Sequence, residues 1–175
     1  MWLSRELITV RTLAPLAHWL ALLEACAVKN LVLALVVVSG FVLPPSARAD
    51  PEWQSDYKKA QQDAKANNRL LLLNFTGSDW CGYCIVFDRE VLSKQQFKDY
   101  ASKNLVLMEV DFPRRKAQSL DIRRQNQELA QQFQIEGFPT FVVLNGDGRK
   151  VWQYEGYFPG GPGAFIAQLE KLRKS

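Results

Sequence analysis

Histidine and cysteine are scarce in this 175-residue chain, which has one histidine and three cysteines. His18 and Cys26 both precede residue 50, so residues 50–175 hold no histidine and two cysteines, Cys81 and Cys84. A closed structural zinc site takes four Cys or His ligands, and no spacing of carboxylates supplies the missing pair, so no metal site is expected. Covalent haem attachment needs a histidine directly after the second cysteine, and Ile85 stands there. Charge of one sign is also lacking. With 22 Lys and Arg against 18 Asp and Glu, the formal net charge is +4, too mild for the strongly basic face of a nucleic-acid binder. There is no internal repeat, no low-complexity tract and no nucleotide-binding motif.

Long hydrophobic runs are absent too. The longest, "LVLALVVVSGFVL" at 31–43, follows Lys29 and falls short of the about 20 apolar residues of a membrane-spanning helix. "PPSARAD" comes next, with Ala47 and Ala49 in the small-residue pattern of a signal-peptidase site. Residues 1–49 therefore read as a signal peptide cleaved before Asp50, with an uncleaved anchor as the alternative. Cleavage leaves 50–175 as one domain, long enough for a single modest core. It removes Arg5, Arg11, Lys29 and Arg48 with Glu6 and Glu24, leaving a formal charge of +2.

Apolar periodicity orders the rest. Trp53, Tyr57, Ala60 and Ala64 predict a helix over 53–67. "RLLLLNF", 69–75, fits a strand buried on both faces. "TGSDW" is a turn, and a helix is predicted from Cys81 through Val91, followed by a second helical piece carrying Phe97, Tyr100 and Ala101. "NLVLMEVDF", 104–112, is the next strand. A loop over 113–120 holds Arg114, Arg115 and Lys116. A helix over 121–133 turns Ile122, Leu129 and Phe133 inward. "TFVVL" and "RKVWQYE" are strands joined by the hairpin turn "NGDG", and a last helix carries Phe165, Ile166, Leu169 and Leu172. The order is helix, β, α, β, α, β, β, α, with a right-handed parallel β-α-β unit and an antiparallel edge.

Cys81 and Cys84, three apart in "WCGYC", admit a structural or a redox reading. As a staple the pair closes a tiny loop and restricts the unfolded chain little. As a redox pair it is well placed, because Cys81 falls where a buried strand gives way to a helix. The unpaired amides there carry partial positive charge and stabilise a thiolate. Lowering a thiol pKa from about 8.5 to about 7 corresponds to roughly 2 kcal/mol. Cys84, one turn further, is expected to be buried behind an exposed Cys81, placed to resolve a mixed disulfide.

"WCGYC", followed about 50 residues later by "GFPT", resembles the thioredoxin fold over essentially all of 53–175. "FTGSDWC.YCI", "EVDFP", "RRQNQEL" and "GYFPGG" narrow the likeness to the periplasmic DsbH-type thioredoxin-like disulfide oxidoreductases. The resemblance implies an α/β thioredoxin fold: a central mixed sheet flanked by helices, with an N-terminal helix and an extended loop and helix before the cis-proline strand. It implies Cys81 as the attacking and Cys84 as the resolving thiol. Pro139 would be a cis proline facing the pair, with Trp80 packed beside it. The substrate-facing surface so implied comprises Trp80, Gly82, Tyr83, Phe138, Pro139 and Thr140. No cofactor beyond the Cys81–Cys84 disulfide and no metal is implied. Protein disulfides or thiols are the expected substrates, and a DsbD-like membrane protein the expected electron donor.

The chain departs from thioredoxin in three places. Asn74 stands where thioredoxin has a buried aspartate that relays a proton to the inner cysteine, leaving water, Glu109 or another group to serve. Gly82-Tyr83 replaces Gly-Pro, with Tyr83 either contacting substrate or lying on the surface. The segment from Asp111 to Pro139 is longer, and its Arg114, Arg115, Lys116, Arg123 and Arg124 either dock a partner or form a solvated charge run. The expected function is an exported, monomeric protein-disulfide reductase of the periplasm. The alternatives are an oxidase or isomerase, or a thioredoxin-fold binding module without catalysis.

Overall fold

The computed structural model describes residues 50–174, so the signal peptide or anchor over 1–49 lies outside the described residues. Five strands form one mixed sheet: β1 (Trp53–Gln54), β2 (Leu70–Thr76), β3 (Leu105–Asp111), β4 (Thr140–Leu144) and β5 (Lys150–Glu155), in the order β1-β3-β2-β4-β5. β1 and β2 run parallel to β3, and β4 runs antiparallel to both β2 and β5. Five helices cover the sheet: α1 (Tyr57–Ala66), α2 (Gly82–Phe87), α3 (Gln95–Asn104), α4 (Leu120–Gln132) and α5 (Gly161–Arg173). This is the thioredoxin fold, a mixed sheet flanked by helices, as the sequence predicts.

The continuous apolar run of β2 is buried on both faces because it feeds two cores. Leu70 and Leu72 join Phe87, Phe97, Phe141, Phe165 and Leu169 under α2, α3 and α5. Leu71, Leu73 and Phe75 join Ala60, Ala64, Met108, Leu129 and Phe133 under α1 and α4. Alternate residues of a strand face opposite ways, so one apolar run supplies both layers. Phe165 is fully buried and its ring meets those of Phe87, Phe97, Phe141, Trp152 and Phe158. Among the described residues no helix is long and apolar enough to cross a membrane.

Three local readings differ from expectation. Trp53 is not helical: with Gln54 it pairs with Leu107 and Met108 at the sheet edge. The helix starts only at Tyr57, because Asp56 caps it by accepting the Lys59 amide at 3.0 Å. The helix after Cys81 is not uniform to Val91; α2 ends at Phe87 and a π-helical turn, Asp88–Leu92, follows. On α4 Ile122 is only half-buried, and Asn126, 1% exposed, points inward instead. Its amide donates to the Asp111 carbonyl at 2.9 Å, ending β3. The hairpin forms at 145–148 as predicted: the Asn145 side chain accepts the amides of Asp147 and Arg149, and Gly148 takes φ 82°.

Candidate active site

The site forms where β2 ends, and a short turn sets it. After Thr76 the chain folds back so that the amides of Trp80 and Cys81 both donate to the Gly77 carbonyl, at 3.2 and 2.9 Å. Gly77 has no room for a side chain: a Cβ there would come within 2.5 Å of the Trp80 indole. Asp111, at the end of β3, takes the Ser78 amide at 2.9 Å and its hydroxyl at 2.6 Å. The turn is thereby tied to the neighbouring strand.

Cys81 is the N-cap of α2, and its sulfur accepts the Cys84 amide at 3.2 Å. The two cysteines are joined as a disulfide. Cys84 is 5% exposed, but Cys81 is only 7% exposed, so the expected contrast between an open and a hidden sulfur is small. Close neighbours explain this. The Cys81 sulfur lies 3.7 Å from the Phe138 carbonyl oxygen, on the loop before β4. That loop carries a cis Phe138–Pro139 peptide. Its other carbonyls are occupied from within: Gly137 by the Thr140 hydroxyl at 2.8 Å and Pro139 by the Gly156 amide at 2.8 Å. β2 and β4 are paired, with Phe75 opposite Thr140, so the sheet itself brings Cys81 to Phe138 and Pro139.

Trp80 is locked as a wall beside the sulfurs. Its Nε1 donates to the Phe112 carbonyl at 2.8 Å, its ring meets Phe138 edge-on at 5.9 Å, and the Arg114 guanidinium lies 3.8 Å over its face. Gly82 and Tyr83 are exposed, Tyr83 at 70%, while Pro139 and Thr140 are buried.

On the inner side a polar cavity of about 260 Å³ reaches Cys84. Asn74, Thr76, Ser78, Ile85, Asp88, Glu109 and Lys116 complete its lining. Asn74 and Glu109 are register partners on β2 and β3. Glu109 stands at the open mouth, yet loss of water around its carboxyl, and then the charge of Asp111, raise its pKa above the ordinary carboxylate value. Asp79 is displaced the other way. The amides of Arg114, Arg115 and Lys116 all converge on its carboxylate, at 3.0, 2.7 and 3.1 Å, and hold its pKa below the usual value, the Arg114 bond first. The sequence reading put Asp79 in an exposed turn without assigning it this work. It gave no role to Asp111 or Ser78, whose signals were the "EVDFP" and "FTGSDWC" similarities.

A fold that sets a cysteine pair at the head of a helix, beside a cis X–Pro loop, defines a class. The sequence matches the thioredoxin-like domain family over residues 57–173, and the chain belongs to that family. It is 35% identical over 130 residues to the disulfide bond reductase DsbH of Chlamydia pneumoniae, covering 74% of this chain and 77% of that one. It is 28% identical over 137 residues to the thioredoxin-related protein DsbJ of the same organism, covering 75% of this chain and 39% of that one. The solved structure of a DsbH oxidoreductase superposes with a TM-score of 0.68 at 34% identity, over 75% of this chain and 90% of that one. The protein is a thiol:disulfide oxidoreductase similar to DsbH.

Proposed function

We propose that the protein is exported to the periplasm and there reduces disulfides in other proteins. One observation carries the chemistry: the Cys81 sulfur sits at the head of α2, receiving the Cys84 amide, with the Phe138–Pro139 edge beside it. Support for the reducing direction comes from similarity to a protein named as a disulfide bond reductase. Support for export comes from the apolar run at 31–43 and the Ala47-x-Ala49 pattern.

In the reduced protein the Cys81 thiolate attacks one sulfur of a substrate disulfide. A mixed disulfide forms, and the substrate's other sulfur leaves as a thiolate that takes a proton from water. Cys84 then loses its proton and attacks the Cys81 sulfur, releasing the second substrate thiolate and closing Cys81–Cys84. Two electrons pass to the substrate. A dithiol donor restores them by the same exchange in reverse, and the absence of a nucleotide-binding motif favours a DsbD-like membrane protein over a soluble nicotinamide enzyme. Substrate lies along Trp80, Gly82, Tyr83 and Phe138, while the expected contacts Pro139 and Thr140 are buried and support that surface from behind. The proton from Cys84 leaves through the polar cavity to Glu109, whose raised pKa makes it a better base near neutrality than an ordinary carboxylate.

The test is a glutathione redox titration of the protein, read from the alkylation state of Cys81 and Cys84. A midpoint near those of the reducing thioredoxins, about −270 mV, is expected; one near −120 mV, the strongly oxidising range, overturns the reductase. Cys84→Ser is expected to accumulate substrate-linked mixed disulfides, and Cys81→Ser to abolish turnover. Partner binding without any turnover in the parent would mark a binding module instead.

A further inference from the structure

Residues 113–116, "PRRK", place three cations beside the active-site turn, and one acid fixes where they go. Asp79 gathers three successive backbone amides of that segment on its carboxylate, and the Arg115 guanidinium donates to its backbone carbonyl. The segment is therefore stapled to the residue just before Trp80. Its three charges have different fates. Arg115 is engaged with Asp79. Lys116 turns inward, its Nζ donating to the Ser78 hydroxyl at 3.0 Å in the cavity shared with Asp88 and Glu109. Arg114 is exposed and lies flat over the Trp80 ring. Among the described residues no carboxylate pairs with its guanidinium. A guanidinium stacked on an indole keeps its N–H edge turned outward, in the fork that fits a carboxylate.

The opposite rim has the other sign. Glu136 and Glu155 flank the cis-proline loop, with the Glu155 carboxyl packed against Gly137 so closely that a Cβ there would lie 2.5 Å from its Oε1. On the helix that Cys81 caps, Tyr83 is exposed at 70%. The mouth of the site is thus cationic on the Trp80 side and acidic on the Gly137 side.

We propose that Arg114 is a carboxylate-recognition point, so that the protein favours substrates with an acidic residue a few positions to one side of the reacting cysteine. The inference rests on the oxidoreductase reading above and names the substrate class for that same site. An extended substrate advances about 3.3 Å per residue. The ring over which Arg114 lies belongs to the residue next to Cys81, so a side chain about two or three positions from the bound cysteine reaches it. Asp79 does not compete for the guanidinium, because backbone amides already occupy its carboxylate. The acidic rim of Glu136 and Glu155 penalises the same charge on the other side of the substrate cysteine, which makes the preference one-sided.

The experiment uses the reduced full chain in single-turnover stopped flow. The probes are self-quenched fluorescent peptides joined by a disulfide, identical except for two aspartates or two lysines on one or the other side of the cysteine. The parent is expected to reduce peptides acidic on one particular side about three- to tenfold faster than their lysine counterparts, a modest ratio suited to an exposed ion pair, and high salt is expected to narrow it. Arg114→Glu should reverse the order and Arg114→Lys should keep part of it. Asp79→Asn, which leaves all three cations in the chain but loosens their staple, should shrink it. An acid-to-lysine ratio that is the same in the parent and in Arg114→Glu overturns the inference while leaving the oxidoreductase reading intact. Failure of the parent to reduce any of the peptides overturns both.

Discussion

At the residue scale the least expected arrangement surrounds Cys84. The side chain opposite Glu109 in the parallel register is Asn74, which is 7% exposed and offers no group that titrates. Of the groups lining the cavity to Cys84, the ionisable ones besides the cysteine are Asp88, Glu109 and Lys116, and Asp111 acts on Glu109 from the same strand. Glu109 is the carboxyl of this set that is held above its ordinary value. Glu109→Gln is therefore expected to slow release of the second substrate thiol, with the first attack by Cys81 retained. The pH dependence of that release just above the ordinary carboxylate range should flatten, as quenched-flow trapping of the mixed disulfide would reveal. The same group sets a stability prediction. Its folded pKa lies above the unfolded value of about 4.3, so ionisation costs the folded state more than the unfolded one. That loss begins as pH rises through the unfolded value and is complete above the folded one. Glu109→Gln should accordingly unfold at higher urea than the parent at pH 7 and at the same urea near pH 3. The loss of the acid at position 74 was legible in the sequence. The part played by Glu109 was open, because the wall of this cavity depends on how β2 and β3 align, and no local pattern encodes that alignment.

At the element scale the turn between β2 and α2 does the positioning. Gly77 is present because the Trp80 ring needs its space, and the ring cannot yield freely. The Phe112 carbonyl, the Phe138 edge and the Arg114 guanidinium hold it on three sides. Gly77→Ala is expected to displace the indole, changing Trp80 fluorescence and costing about 1–3 kcal/mol of stability, the usual range for overfilling a packed site. Unaltered emission and an unaltered denaturation midpoint would show that the ring has slack. Elements with strong periodicity were readable: β2 from its apolar run, α5 from its inward Phe165 and Leu169, the hairpin from "NGDG". Errors arose where one residue type fits two settings. Trp53 continues the spacing of α1 but lies before the Asp56 cap, so it joins the sheet edge instead. The π-helical turn after Phe87, closed by the Ser93 amide on the Asp88 carbonyl at 2.8 Å, has no period of its own to read. Asn126, which the apolar spacing of its helix does not mark, is buried and donates to the last carbonyl of β3.

At the scale of the whole molecule, folding joins two segments 57 residues apart, Cys81 and Phe138, and so decides how strongly the protein holds its electrons. In the unfolded chain the Cys81–Cys84 pair has the potential of a short flexible loop. Any difference in the folded protein must appear as a difference in stability between the oxidised and reduced forms, about 1.4 kcal/mol for each 30 mV of a two-electron couple. A thiolate stabilised by the fold favours the reduced form and makes an oxidant. Here the head of α2, the Cys84 amide and the Lys116 ammonium at the cavity pull that way, whereas the Phe138 carbonyl oxygen on the Cys81 sulfur and the carboxyls of Asp88 and Glu109 about the cavity pull against it. Two carboxyls and a carbonyl oxygen against one short helix and one cation favour a neutral dithiol or a closed disulfide over a thiolate. The oxidised protein is thus expected to unfold at a higher denaturant concentration than the reduced one, and the gap, converted through the same constant, should match the difference between the potentials that the glutathione titration gives for the folded and for the unfolded protein. Because the two forms differ by two hydrogens and share every other atom, the comparison isolates the fold's effect on the sulfurs. A reduced form more stable than the oxidised one would mean that the helix terminus prevails over the surrounding carboxyls and carbonyl, and that electrons flow toward this protein rather than from it.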